Sequence, residues 1–188
     1  MNKNLFRFLC FFLLCTTSLQ LQGAEGSIEV RSAAFFPSSK RFRDIYGDVR
    51  PILGLEVTRK SCSCYDTWID IDVFSKNSHS GNRCHSRATI LNTSLGASYV
   101  CPIKCDIDAY LGMGVNLAYL RLNNGTCRGK EHISKLGIGV VLKSGIKYLF
   151  SDPFFVDCFA DYLYQPVHIS RHVDIGGIKL GLGIGMNF

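Results

Sequence analysis

Cysteines give this chain its most distinctive chemistry. The sequence contains nine of them in 188 residues, and six stand between candidate strands, where disulfide bonds form in an oxidising compartment. Four of these thiols lie in two close pairs, and such a set could instead bind zinc. Six cysteines allow many pairings, so the sequence does not choose among them. The disulfide candidates are Cys62, Cys64, Cys101, Cys105, Cys84 and Cys127.

His168 and Ser170 are the residues whose spacing bears on catalysis. A serine nucleophile needs a base within hydrogen-bond reach and an acid that orients this base. No Glu follows Glu131, so only Asp174 could serve as the acid. The five histidines show no ligand spacing typical of a metal site. We therefore expect no catalytic residue, no cofactor and no metal.

Basic residues are concentrated in two polar segments between candidate strands. Residues 37–51 carry a net charge of +2 and residues 76–88 a net charge of +3. Such segments can bind a polyanion, although surface loops are polar in most proteins without any such partner. The candidate polyanion-binding residues are Lys40, Arg41, Arg43, Lys76, Arg83 and Arg87.

The elements that position these residues are β-strands, and the last strand is the most informative. Residues 174–188 alternate large apolar residues with Gly, Lys and Asn, and the segment ends at Phe188. Glycine opposite a large apolar face suits a strand with lipid on one side and a narrow lumen on the other. The apolar face consists of Ile178, Leu180, Leu182, Ile184, Met186 and Phe188.

Seven further segments alternate in the same way, and the gaps between the eight alternate in length. Long gaps then all face one side of a membrane and short gaps the other, as in up-and-down transmembrane barrels. The strands are predicted at residues 28–36, 52–60, 66–75, 89–100, 107–120, 136–150, 154–164 and 174–188. The long gaps are 37–51, 76–88, 121–135 and 165–173, and the short gaps are 61–65, 101–106 and 151–153.

The first 24 residues have the features of a secretory signal. Lys3 and Arg7 precede an apolar stretch at residues 8–14, and small or polar residues lead to Ala24. We therefore predict a cleaved signal peptide at residues 1–24 and one barrel domain at residues 25–188. A hydrophobic content of 47% with 18 glycines excludes a disordered chain.

The predicted fold is all-β, an eight-stranded antiparallel up-and-down transmembrane β-barrel. The main alternative is a secreted, lipocalin-like barrel that binds a ligand inside. In that soluble barrel the apolar face would point inward, and alternation alone does not distinguish the two. Glycine on the polar face, the alternating gap lengths and the terminal Phe188 favour the membrane barrel.

The ending, residues 181–188, also resembles the C-terminal strand by which bacterial outer-membrane barrels are recognised for assembly. Over residues 26–188 the chain resembles the small eight-stranded outer-membrane barrels typified by the OmpA transmembrane domain, OmpX and OmpW. Residues 35–47 resemble the first loop of small barrels from chlamydia-like bacteria. The segment His168-Ile-Ser170 resembles the motif of outer-membrane lipid A deacylases, but the Glu of that family is missing.

The predicted topology sorts the cysteines and the charges. Cys62, Cys64, Cys101 and Cys105 lie in periplasmic turns, and an apolar band about 25 Å tall separates them from Cys84 and Cys127. Because a disulfide needs Cα atoms within about 7 Å, pairs form only within each set. Cys158 is predicted to face lipid. The charged residues predicted to fill the lumen as ion pairs are Glu29, Arg31, Glu56, Asp66, Asp70, Asp72, Asp108, Lys143, Lys147, Asp157, Asp161 and Lys179.

These observations predict a bacterial outer-membrane protein with an envelope-structural or surface-interaction role, and no enzyme activity. The resemblance to OmpW implies an alternative, a narrow conduit for small or hydrophobic solutes. The expected partners are outer-membrane lipid or lipopolysaccharide, the barrel-assembly machinery, host polyanions and disulfide-linked envelope proteins. We expect no nucleic-acid partner.

Overall fold

The structure, a computed structural model, describes residues 25–40, 43, 49–62, 64–80, 84–126, 129–168 and 172–188. The described residues form ten β-strands. Their bounds are β1 Gly26–Pro37, β2 Arg50–Cys62, β3 Tyr65–Ser80, β4 Cys84–Lys104, β5 Ile107–Thr126, β6 Gly129–Ser151, β7 Phe154–Tyr164, β8 Pro166–His168, β9 His172–Asp174 and β10 Gly177–Asn187. None of the described residues forms a helix that is long and apolar enough to cross a membrane.

Eight of these strands close into one antiparallel barrel. Strands β1 to β7 follow each other around the wall, and β10 joins β7 to β1. The closing pair runs in continuous register from Ser27 opposite Asn187 to Pro37 opposite Gly177. Closure leaves no unpaired sheet edge, which is what strands need in a medium without water. The predicted fold, an eight-stranded up-and-down barrel, is confirmed.

Several strands are longer than predicted, and the difference has a physical cause. The ladder of β3 and β4 continues to the pair Ser80 and Cys84, and that of β5 and β6 continues to Thr126 and Gly129. The predicted long gaps at residues 76–88 and 121–135 therefore consist mainly of paired strand residues that extend the two hairpins. Beyond a bilayer both faces of a hairpin meet water, so backbone pairing continues while the alternation of apolar residues stops. The fourth gap contains the small hairpin of β8 and β9.

The two ends of the barrel differ. The turns β2–β3, β4–β5 and β6–β7 are short and lie at one end, which we call the short-turn end. The opposite end, which we call the long-hairpin end, carries the extended β3–β4 and β5–β6 hairpins and the β8–β9 hairpin. The predicted division into short and long connections is therefore present, with hairpins in place of irregular loops.

The outer wall is apolar and the inner wall is charged. Leu111 and Leu182 are 67% and 61% exposed on the outside, while Glu29 and Lys143 are only 1% exposed inside. This arrangement is the reverse of a lipocalin-like barrel, and it identifies the membrane version of the fold. Aromatic rings stand near both ends of the outer wall: Tyr65 packs edge-on against Tyr99 at the short-turn end, and Tyr164 is exposed at the end of β7.

Glycines on the inner wall make room for large side chains in the lumen. A Cβ atom at Gly96 would lie 2.6 Å from the Trp68 ring, and one at Gly114 would lie 2.8 Å from the same ring. Gly145 stands in the same way beside the Tyr110 ring. The glycine-rich inner face of the sequence therefore reflects close packing inside a narrow barrel.

Candidate functional site in the barrel lumen

Arg31 on β1 is the centre of an ion-pair network across the lumen. Its guanidinium donates hydrogen bonds to Glu56 at 2.8 Å and to Asp161 at 3.1 Å. The Glu29 carboxylate lies 3.4 Å from Arg31 Nε, and the Phe159 ring centroid lies 3.4 Å from Arg31 Cζ. Because Arg31 is only 4% exposed, these contacts replace the water that its charge would otherwise need.

Two lysines extend the network along the barrel. Lys143 on β6 donates to Glu56, and its Nζ lies 4.3 Å from the Trp68 ring centroid. Lys179 on β10 donates to Asp72. Asn92 donates a 2.7 Å hydrogen bond to the second oxygen of the Asp72 carboxylate. The two clusters bring charged and polar side chains of seven strands together in the lumen.

A chain of neutral polar groups continues toward the long-hairpin end. Ser94 donates to Asn116 at 2.8 Å, and Asn116 donates to Gln165. Gln165 is fully buried at the end of β7, and its backbone N–H donates to the Asp174 carboxylate at 2.9 Å. The same Asp174 oxygen accepts a hydrogen bond from the Gly176 N–H at 2.8 Å. Asp174 therefore holds the base of the β8–β9 hairpin.

Large apolar side chains occupy the remaining interior. Trp68, Val141 and Leu163 form one buried cluster. Phe74 and Leu120 are each about 2% exposed. An eight-stranded barrel is just wide enough for its own side chains, and here charged, amide and apolar groups fill the middle of the lumen.

Nine of the twelve charged residues predicted to fill the lumen are buried in the network. These are Glu29, Arg31, Glu56, Asp70, Asp72, Lys143, Asp157, Asp161 and Lys179. The other three, Asp66, Asp108 and Lys147, line an open cavity at the short-turn end. The prediction of an internal ion-pair network is confirmed. Alternation places Trp68 on the same strand face as Asp70 and Asp72, and it is buried there. The packing of Tyr110 and Gln165 among these charges was not predicted, although the inner-face glycines were a signal of large lumenal side chains.

The cavity at the short-turn end has a volume of about 560 Å³. Its inner part reaches Glu56, Trp68 and Tyr110, and its mouth includes Glu25 and Lys60. Lys60 donates a 2.8 Å hydrogen bond to Glu25, and this bond holds the pKa of the Glu25 carboxyl below its usual value. This volume lies within the range of small-molecule pockets.

Three of the candidate disulfide cysteines are free thiols at the short-turn end. Cys101 and Cys105 are exposed, and Cys64 is half-buried. The Cys64 carbonyl accepts a 2.8 Å hydrogen bond from the N–H of Val100, so Cys64 lies beside the last part of β4. The side chains of Cys62 and Cys84, and all of Cys127, lie outside the described residues. Cys158 is exposed on the outer wall, as predicted.

The basic residues proposed for polyanion binding lie at the long-hairpin end or outside the described part of the chain. Lys40 is exposed just beyond β1, and Arg43 donates a 3.1 Å hydrogen bond to the Pro37 carbonyl. In the β3–β4 ladder Lys76 lies opposite Ala88 and Arg87 lies opposite Asn77, but the side chains of these two basic residues are not described. Arg41 and Arg83 lie outside the described residues.

The remaining candidates for chemistry are only partly described. Ser170 lies outside the described residues, while Asp174 accepts hydrogen bonds from the backbone N–H groups of Gln165 and Gly176. The backbone register places His79 opposite His85 and His168 opposite His172. Among the described residues, no group of three or more His, Cys, Asp or Glu could hold a metal ion.

Solved structures similar to this chain are small outer-membrane barrels. OprG of Pseudomonas aeruginosa matches with a TM-score of 0.67 and 15% identity, over 88% of this chain and 96% of that one. Neisserial surface protein A matches with a TM-score of 0.62 and 13% identity, over 89% and 98% of the two chains. Ail, the attachment invasion locus protein of Yersinia pestis, matches with a TM-score of 0.60 and 13% identity, over 88% and 99%.

No protein-family model and no curated protein matches the sequence. At identities this low, the similarity concerns the fold. The charged lumen, the apolar outer wall and these matches together lead to one conclusion: the chain has the fold of the small eight-stranded outer-membrane β-barrels.

Proposed function

We propose that this protein resides in the bacterial outer membrane and has an envelope-structural or surface-interaction role. The observation that carries the proposal is the filled lumen, in which buried ion pairs and packed apolar side chains occupy the middle of the barrel. A barrel filled in this way is suited to present its ends to other molecules, whereas a general porin needs an open channel. The short-turn end would then face the periplasm and the long-hairpin end the outside.

The long-hairpin end is proposed to bind polyanions. Its first and second connections carry the basic residues Lys40, Arg41, Arg43, Lys76, Arg83 and Arg87. Ail, one of the similar structures, was solved in complex with the heparin analogue sucrose octasulfate. Lipopolysaccharide phosphates and host polyanions offer the same chemistry, because both present several negative charges to a basic surface.

Heparin chromatography tests this surface role. The protein is expected to bind heparin and to elute at a salt concentration that falls when Lys40, Arg41 and Arg43 are together replaced by Gln. A matched control replaces Arg59, Lys60 and Lys104, three exposed basic residues of the short-turn end, and should leave the elution unchanged. If the elution salt concentration falls equally in both variants, a specific role for the connections at the long-hairpin end is contradicted.

Planar-bilayer recording tests the alternative of a conduit for small solutes. A lumen filled by side chains predicts no discrete conductance steps from the purified protein. Regular steps that disappear in unfolded samples would contradict the proposed role and support the conduit. The same preparation should be used for both experiments, so that the fraction of folded protein is known.

A further inference from the structure

The geometry points to the cavity at the short-turn end as a binding site for a small organic amine. This inference does not depend on the proposed polyanion role, because the cavity and the basic connections lie at opposite ends of the barrel. The cavity is about 560 Å³ in volume, which is enough for a ligand larger than a single amino-acid side chain. Four properties of its lining favour a ligand with a positively charged amine and an apolar body.

The first property is an excess of carboxylates over basic groups. The cavity is lined by five acidic residues and two lysines. Glu25 is hydrogen-bonded to Lys60, and Glu56 is hydrogen-bonded to Lys143. Three acidic residues of the lining take part in neither of these hydrogen bonds, and Lys147 is the one lysine of the lining left to balance their charge. These acids are Asp66, Asp108 and Asp152.

The second property is that the Asp66 and Asp108 carboxylates make no direct hydrogen bond or ion pair with a described residue. Both are half-buried in the cavity wall. The hydrogen bonds and ion pairs of the described residues include neither carboxylate. Their basic neighbours are Lys60, opposite Asp66 in the β2–β3 ladder, and Lys147, opposite Asp108 in the β5–β6 ladder, and neither lysine is within ion-pair distance of them. An ammonium group that enters the cavity would therefore gain two partly desolvated carboxylates without breaking a direct ion pair.

The third property is that the same region already accommodates ammonium groups against aromatic rings. Lys147 Nζ lies 5.0 Å from the Phe155 ring centroid and 5.4 Å from that of Tyr110. Lys143 Nζ lies 4.3 Å from the Trp68 ring centroid. Aromatic faces attract cations, and apolar side chains of Val100, Leu149 and Pro102 complete the lining. These groups suit an amine attached to an apolar or aromatic body.

The fourth property is an unused donor on Trp68, beside the inner part of the cavity. Trp68 lines the cavity and is only 3% exposed. Among the described residues, its indole N–H has no hydrogen-bond acceptor. A buried donor without an acceptor is costly. Because this N–H has almost no accessible surface, a ligand that carries a carbonyl or hydroxyl oxygen would compensate for it only when the indole turns toward the cavity.

Fluorescence titration provides a direct test, because Trp68 is the one tryptophan of the chain. The full chain is expressed, purified from membranes in detergent, and titrated with phenylalaninamide at a pH where its amine is protonated. We expect a saturable change in tryptophan emission. The control ligand, 3-phenylpropanamide, lacks only the amine and should bind at least tenfold more weakly. Equal binding of the two compounds, or no saturable change, would overturn the inference.

Paired variants locate the site. Replacing Asp66 and Asp108 together with Asn should weaken phenylalaninamide binding tenfold or more. The control is Asp106→Asn, which removes one negative charge from an exposed residue in the β4–β5 turn outside the cavity lining. Binding unchanged in the double variant, or weakened equally in both, would overturn the assignment. Should the double variant fail to fold, the comparison of the two ligands on the unmodified protein still decides.

Discussion

Replacement of Arg31 by Met is expected to be among the most destabilising single changes in this protein. The side chain is 4% exposed and donates to Glu56 and Asp161. Each hydrogen bond between charged groups contributes about 1.5–3 kcal/mol, so the two direct bonds together represent about 3–6 kcal/mol. Removal of one partner from a buried ion pair costs about 3–5 kcal/mol in measured cases. We therefore expect a loss of about 3–5 kcal/mol, because Glu29, Glu56 and Asp161 would remain buried without their shared cation.

The assay is urea unfolding in lipid vesicles, followed by Trp68 fluorescence and by the mobility of the folded band on gels. The unfolding midpoint should fall while its dependence on urea concentration stays the same. Arg31→Lys should be intermediate, since lysine keeps the charge but loses the planar fork that contacts two carboxylates. The control is Arg59→Met, at an exposed arginine of β2. A change below about 0.5 kcal/mol for Arg31→Met, the level of an ordinary surface substitution, would refute the network.

Three further predictions concern the inner wall, the outer wall and the thiols. Gly114→Ala should destabilise the barrel by about 1–3 kcal/mol, measured by urea unfolding, because the new Cβ would lie 2.3 Å from the Leu95 carbonyl oxygen and 2.8 Å from the Trp68 ring. Unchanged stability would contradict the close packing. Leu182→Arg places a charge in the middle of β10 on the outer wall and should cost about 2–4 kcal/mol in vesicles; tolerance of the charge would argue against lipid contact. In folded, lipid-embedded protein, a water-soluble maleimide should label Cys101 but not the outer-wall Cys158; equal labelling of Cys158 would show that this wall meets water.

The sequence predicted the barrel because its alternation has a direct physical cause. A strand between lipid and lumen must place apolar residues on one face, and β7 was predicted with the bounds Phe154–Tyr164 that the structure has. The prediction for β6 was residues 136–150, whereas the strand spans Gly129–Ser151. Outside the bilayer both faces of a strand meet water, so apolar and polar residues do not alternate there even though the backbone remains paired.

The sequence predicted which charged residues face the lumen but not which of them form ion pairs with each other. Alternation placed Arg31 and Asp161 on the inner face, but their hydrogen bond crosses between β1 and β7, which are not adjacent in the barrel. Which residues meet across a barrel depends on the stagger of its strands, and one sequence does not specify this stagger. Alternation likewise placed Trp68 on the same face as Asp70 and Asp72, but it did not show which residues make space for its ring. The space for the Trp68 ring depends on Gly96 in β4 and Gly114 in β5.

The cavity was not predicted from the sequence at all. Asp66, Asp108 and Lys147 were assigned to the same filled network as Arg31, because alternation gives the face of a residue but not its depth along the barrel. In the structure these three residues line the open part at the short-turn end. The disulfide pattern also stays a prediction, since Cys64, Cys101 and Cys105 are free and the other candidate side chains are not described.

Gel mobility in detergent, with and without boiling, tests the central claim most directly. A closed barrel with an apolar outer wall and a packed, charged lumen predicts a compact folded band in the unheated sample, which moves to a different position after boiling. The protein should also require detergent to stay monodisperse. One band at the same position before and after boiling, together with a monodisperse protein in plain buffer, would contradict a membrane-spanning barrel.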